Sequence, residues 1–224
     1  WMALELSGVN TDISVDGSEG EIEIESVQGE VSVTGGTKLV TASSVEGEVS
    51  IRGASGKIEC NSVNGSVHVE RSTGPVVASS VNGGITLTGI DSEEVEASTI
   101  NGTVSYDGTI RDIGFYRFST HNGDVVVTVP ERANATVSVA TFSGEFSSAF
   151  PIQLSETRHG KRFNFTLGDG GARIELESFQ GGIRLRRPGS PEATSSDGHK
   201  HEAKQGKDTV KPKLKNSGDE ESQP

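Results

Sequence analysis

Apolar residues recur along this chain with a period of two inside short runs and a period of about eighteen between runs. Leu4, Ile22, Val40, Ile58, Val76, Val95, Tyr116, Val137 and Ile174 form one column. Two residues later stand Leu6, Ile24, Ala42, Cys60, Ala78, Ala97, Phe118, Val139 and Leu176. A third column holds Ile13, Val31, Val49, Val67, Ile85, Val104, Val125, Phe146 and Ile183. The fourth follows two residues on, from Val15, Val33, Ile51, Val69 and Leu87 to Tyr106, Val127 and Leu185, with Ser148 the one polar exception. Alternation of this kind, rich in β-branched residues, predicts two short half-buried strands per repeat. No stretch carries the 3.6-residue period of an amphipathic helix.

Between the two strands lies a four-residue phrase. It spans Ser26 to Gly29, Ser44 to Gly47, Ser62 to Gly65 and Ser80 to Gly83, at intervals of 18. It drifts to Thr99 to Gly102, Thr120 to Gly123 and Thr141 to Gly144, at intervals of 19, 21 and 21, and returns at Ser178 to Gly181. Gly8-Val9-Asn10-Thr11 is a degenerate first copy, which makes nine. One repeat cannot bury its apolar face alone, whereas equivalent strands stacked about 4.8 Å apart share a continuous core. The fold class is therefore all-β: a β-solenoid of about nine short coils of 18–21 residues. The phrase reads as the corner between strands. Its Gly is expected to supply a positive φ, its Ser or Thr to hydrogen-bond the turned backbone, and Val81 and its copies to plug the core edge. Small inner residues early (Ala42, Cys60, Ala78, Ala97) and larger ones late (Tyr116, Phe118, Phe142, Phe146) predict a solenoid that thickens toward its C-terminal end.

Composition agrees with a thin core, at 31% hydrophobic and 5% aromatic residues. The net charge of −12 disfavours nucleic acid and anionic membranes as partners. The single cysteine, Cys60, excludes an intrachain disulfide. No run of about 18 apolar residues is present, so no membrane insertion is expected in this segment. The chain begins Trp1-Met2 and reads as a processed or truncated piece of a longer protein.

Two segments depart from the repeat. Within the 37-residue interval from Gly144 to Gly181, the alternation Phe163, Phe165, Leu167 predicts an extra strand that caps or crosses the last coils, preceded by a loop at about 153–161. After Arg187 the chain holds four of the seven prolines, and six lysines against seven acidic residues leave −11 for residues 1–187. Residues 1–187 are therefore the solenoid domain, and 188–224 a disordered charged tail or linker. Lys211, Lys213 and Lys215 in it read as solvated.

Candidate chemistry is sparse. His199 and His201 lie in the tail, His68 points outward between Val67 and Val69, and His121 sits at a corner. No cysteine or acidic ligand stands at zinc-like spacing, so no metal site or cofactor is expected. No GxSxG elbow has triad partners, and the GDGGAR stretch at 168–173 precedes a strand, not a helix, which removes a phosphate cradle. Outward Glu21, Glu23 and Glu25, near Glu30 and Glu48, read as solubility and edge protection. The outward series Ser32, Ser50, His68, Thr86, Ser105, Val126 lacks the flat threonine ladder of ice-binding solenoids. Short connections leave no cleft before residue 150. No catalytic residue is expected.

The repeated S-V-x-G-x-I/V-x-V/L phrase, together with the ending GDGGARIELESFQGGIRLRR at 168–187, resembles a bacterial family of β-strand-repeat domains labelled adhesins. The resemblance covers about residues 4–187 and implies a right-handed single-stranded β-helix in an extracytoplasmic protein: periplasmic, cell-surface or secreted. It carries over no catalytic motif. Three functions are open. The first is a noncatalytic envelope scaffold that binds a glycan or an envelope protein. The second is a self-assembling solenoid, resembling bactofilins, that joins end to end. The third is a carbohydrate-active enzyme built on residues 145–175.

Overall fold

The computed structural model describes residues 3–151 and 161–189, and these form an all-β solenoid. They lie within one compact unit, Trp1–Ser190; the second unit, Pro191–Pro224, is outside the described residues. So are nearly all of the predicted tail and of the loop at 153–161, although Pro188 and Gly189 form a turn.

Seven coils follow one another in chain order, each made of two strands. They are β1 (Ala3–Asn10) with β2 (Ile13–Ser18), β3 (Glu21–Gln28) with β4 (Val31–Gly35), β5 (Leu39–Glu46) with β6 (Val49–Arg52), and β7 (Lys57–Ser62) with β8 (Val67–Glu70). Then come β9 (Val76–Ser80) with β10 (Ile85–Ile90), β11 (Glu94–Asn101) with β12 (Val104–Gly108), and β13 (Phe115–Asn122) with β14 (Val125–Thr128). Odd strands build one parallel sheet and even strands the other. Register follows the repeat: Ile22 pairs with Val40, Val40 with Ile58, Ile58 with Val76. All four apolar columns face inward. Val33, Ile51, Val69 and Leu87 have no exposed surface.

The last coils break chain order. After β15 (Ala135–Thr141) and β16 (Phe146–Ser148) come β17 (Lys161–Leu167), β18 (Ala172–Ser178) and β19 (Ile183–Arg186). β18 lies between β13 and β15, and β19 between β14 and β16. The expectation of nine successive coils is corrected accordingly: seven stack in order, and the final strand pair is intercalated beneath the one that precedes it. β17 runs antiparallel along the far edge of β15, so the predicted extra strand does cap this sheet. β17 and β18 thus flank β15 like the arms of a hairpin. The GDGG stretch is its tip, with Gly168 and Gly170 at φ +56° and +80° and the Gly170 N–H donating to the Leu167 carbonyl.

The largest fully buried side chains, Tyr106, Tyr116 and Phe118, pack together, with Tyr106 5.0 Å from Phe118 and 5.9 Å from Tyr116 between ring centroids. Their burial forces each tyrosine hydroxyl to find a partner: Tyr106 donates to the Thr109 carbonyl at 2.7 Å and Tyr116 to the Ser92 carbonyl at 2.6 Å. Phe142, expected inside, is 67% exposed.

Candidate functional site

The corner hydroxyls bond corner backbone as expected, whereas the corner glycines work differently. Ser26, Ser44, Ser62, Ser80, Thr99, Thr120, Thr141 and Ser178 are buried. Ser62 Oγ donates to the Gly47 carbonyl of the preceding coil at 3.1 Å, Ser80 to Gly65 at 3.0 Å, and Thr99 to Gly83 at 2.9 Å. Thr120 reaches Gly102 at 2.9 Å, and Ser178 reaches Gly123 at 3.0 Å. Thr141 accepts from the Gly144 N–H at 3.0 Å. The expected positive φ holds at Gly29, at +131°, but Gly47, Gly65, Gly83, Gly102, Gly144 and Gly181 are not in that region, and Gly123 at +157° lies at its edge. The glycines are there for space. A Cβ at Gly65 would lie 1.9 Å from the Gly47 oxygen, and one at Gly181 would lie 1.8 Å from the Gly123 oxygen.

A second correction concerns the apolar corner residue. It does not plug the core. Val27, Val45, Val63 and Ile100 are 40–49% exposed, and Val9 is 67% exposed. Strand alternation explains this. In β5, Thr41, Ser43 and Val45 all project from the outer face of the odd-strand sheet, because Val40, Ala42 and Ser44 project inward. The corner residues are therefore the last outward column of that sheet, an apolar ridge. In spatial order the ridge ends in His121, Phe179 and Phe142. These rings are stacked at 4.6 and 4.7 Å between centroids. Beside the ridge runs an amide ladder, in which Asn82, Asn101 and Asn122 each donate at 2.8 Å to the amide oxygen of the preceding coil's asparagine.

Inward along the same face lies a column of small polar side chains: Ser43, Asn61, Ser79, Ser98 and Ser119, joined by strand register. Its far neighbours, again by register, are Thr41, Glu59, Val77, Glu96 and Arg117. The face thus carries a lane floored by small hydroxyls, with an apolar wall on one side and a mostly charged wall on the other. At the intercalated coil the lane deepens into a depression of about 550 Å³, floored by Ser119, Ser138 and Ala140 and rimmed by Arg117, Arg173 and Glu175. All three floor residues precede residue 150, where no cleft was expected.

Glu175 organises this depression. Its Oε2 accepts from Arg117 Nε at 2.9 Å and Nη2 at 2.7 Å. Its Oε1 accepts from Arg173 Nε at 2.8 Å and lies 2.5 Å from Nη2. The Arg117 guanidinium, with that of Arg173, holds the Glu175 carboxyl below the usual carboxylate range. Both guanidinium groups lie over the Phe115 ring, at 5.5 and 6.0 Å. Neither arginine was singled out from sequence. Arg117 and Glu175 are 58 residues apart and become neighbours only through the intercalation.

The other sequence candidates stay apart from this site. His68 projects outward from the even-strand sheet, 3.7 Å from Glu48. Glu21, Glu23 and Glu25 line the outer face at the opposite end of the odd-strand sheet. Burial pushes the Cys60 thiol up to about 12, which leaves it unreactive. Among the described residues no group of three or more His, Cys, Asp or Glu could hold a metal ion, and no helix is long and apolar enough to cross a membrane. No known family, curated protein or solved structure matches the chain.

Proposed function

We propose that this chain is a noncatalytic binding scaffold of the cell envelope or a secreted protein, like the bacterial adhesin-labelled family its repeat resembles, and that it engages a glycan or an envelope protein. The lane along the outer face of the odd-strand sheet carries this reading. A ridge of exposed apolar side chains spaced at the coil repeat is unusual on a soluble surface and marks an interaction face. Flanking amides and hydroxyls, repeated at the same step, suit an extended polymeric ligand. The chemistry of this depression supports a noncatalytic reading. A general acid needs a carboxyl with a raised pKa, and Glu175 is held low between two guanidinium groups. The test replaces Val45, Val63 and Val81 together with lysine and compares the variant with wild type on glycan arrays and immobilised envelope proteins. Saturable binding that the variant loses supports the scaffold; no saturable ligand in either assay sinks it.

A second reading, end-to-end self-association, has one observation in its favour. β1 ends its sheet without a further strand among the described residues, and Leu4 and Leu6 on it are only partly buried. At the other end β17 closes the same sheet with an antiparallel strand. Light scattering that stays at the monomer mass across concentration overturns this reading.

A further inference from the structure

We infer that the depression at β13, β18 and β15 is a subsite for a carboxylate-bearing sugar unit of a glycan, a deepening that rests on the scaffold reading above. The charge pattern of the face points there. In its N-terminal coils the outer face carries Glu5, Glu21, Glu23, Glu25 and Glu59, with Lys57 bound to Glu59. At the depression Arg117, Arg162 and Arg173 balance Glu96, Glu175 and Glu177, so the excess of negative charge ends there; Arg162, on β17, is in register with Ala140. An anionic group meets acidic side chains along the N-terminal coils and clustered guanidinium donors here.

The donors are also the right shape. Each guanidinium has five N–H groups in a planar fork. Arg117 and Arg173 each use two nitrogens on Glu175, which fixes both forks in place; Arg117 turns its Nη1 toward Glu96 at 3.9 Å, and Arg173 keeps further N–H groups for a ligand. A fork held in position loses little freedom when it takes a carboxylate bidentately. Arg173 is 70% exposed at its side chain and therefore reachable.

The remaining lining selects a sugar over an acidic peptide. Ser119 and Ser138 offer hydroxyls that both donate and accept. Glu96 and Glu177 on the rim accept hydrogen bonds from ligand hydroxyls, which a poly-glutamate peptide lacks. Phe142, two residues beyond Ala140 and exposed at the end of the ring stack, supplies an apolar surface for the C–H face of a pyranose. The volume of about 550 Å³ is of the size that holds small ligands.

The experiment is calorimetric titration of the full chain with trigalacturonic acid, with a neutral galactose trisaccharide, and with a poly-glutamate peptide. The acidic trisaccharide is expected to bind saturably, at least tenfold more tightly than either other probe. Arg173→Gln, which removes one fork, is expected to weaken it tenfold or more. Ser138→Trp, on an exposed strand position in register with Glu175, fills the floor and abolishes binding while Arg117, Arg173 and Glu175 all remain. Arg52→Gln, on the other sheet, leaves binding unchanged. The melting temperature of each variant shows that it is folded. No binding of trigalacturonic acid, equal binding of the neutral trisaccharide or of poly-glutamate, or indifference to both Arg173→Gln and Ser138→Trp overturns the inference. If a neutral glycan binds and the Val45, Val63, Val81 variant loses it, the scaffold stands and only this subsite falls.

Discussion

At the scale of the residue, two kinds of glycine carry this fold, and they look the same in the sequence. Gly65 packs its α-carbon against the carbonyl of Gly47 one coil away, where a Cβ would come within 1.9 Å of backbone oxygen. Gly53, at the opposite corner, has φ +66° and open space around it. It belongs to a column with Gly17, Gly35 and Gly89, whose one non-glycine member, Arg71, also adopts a positive φ of 47°. The physical costs differ. Gly65→Ala must push two backbones apart, and is expected to destabilise by about 3 kcal/mol or more, the upper range for overpacking. Gly53→Ala incurs only a left-handed backbone, about 1 kcal/mol. Urea denaturation of the two variants measures the difference; equal losses would mean that conformation, not space, selects the corner glycines. The period of the glycines was legible in the sequence. The reason for them was not, because a one-residue letter does not distinguish a strained φ from a missing volume.

At the scale of the element, the intercalated pair β18 and β19 is held by long-range charge pairs. Arg117 and Glu175 join β13 to β18. Asp124 accepts from Arg184 Nη2 at 2.6 Å and from the Gly182 N–H at 2.8 Å, which joins the β14 coil to β19. Apolar columns alone cannot specify this order, because Ile174 and Leu176 match the inner positions of any coil. In chain order Arg117 would instead face Ser138, and the pair would be lost. That is why the strands were readable from alternation but their spatial order, and with it the candidate site, was not. The pairing has a pH signature. The Glu175 carboxyl is held below its ordinary pKa by the two arginines, so its contribution is fully present above about pH 4.3 and is lost as pH falls through the lowered value. Glu175→Gln is therefore expected to melt below wild type near pH 7, with the gap narrowing as pH falls below about 4.3. A gap that stays constant with pH would show that Glu175 contributes by packing and not by charge.

At the scale of the whole compact unit, stability is close to one-dimensional, since each coil touches only its neighbours. The intercalation makes one exception. β15 touches β17 and β18, and reaches β13 only through β18. β16 likewise pairs with β19 alone. The last-arriving strands are therefore the link between the seven ordered coils and the cap. Deleting residues 172–224 removes that link without altering a residue of β1 to β17. The seven coils keep every pairing among themselves, while β13 loses one edge partner and β15 and β17 are left as an antiparallel pair. Two strands alone are marginal in water. Hydrogen exchange should then show slow amides persisting through β3 to β11, faster exchange at β13, and no protection in β15 and β17. Slow exchange surviving in β15 and β17 would mean that they dock on β13 directly, and that β18 only fills a gap already closed around it. Protection lost along the whole chain would mean that the repeat folds as one cooperative block, and that its coils do not stand on nearest-neighbour contacts.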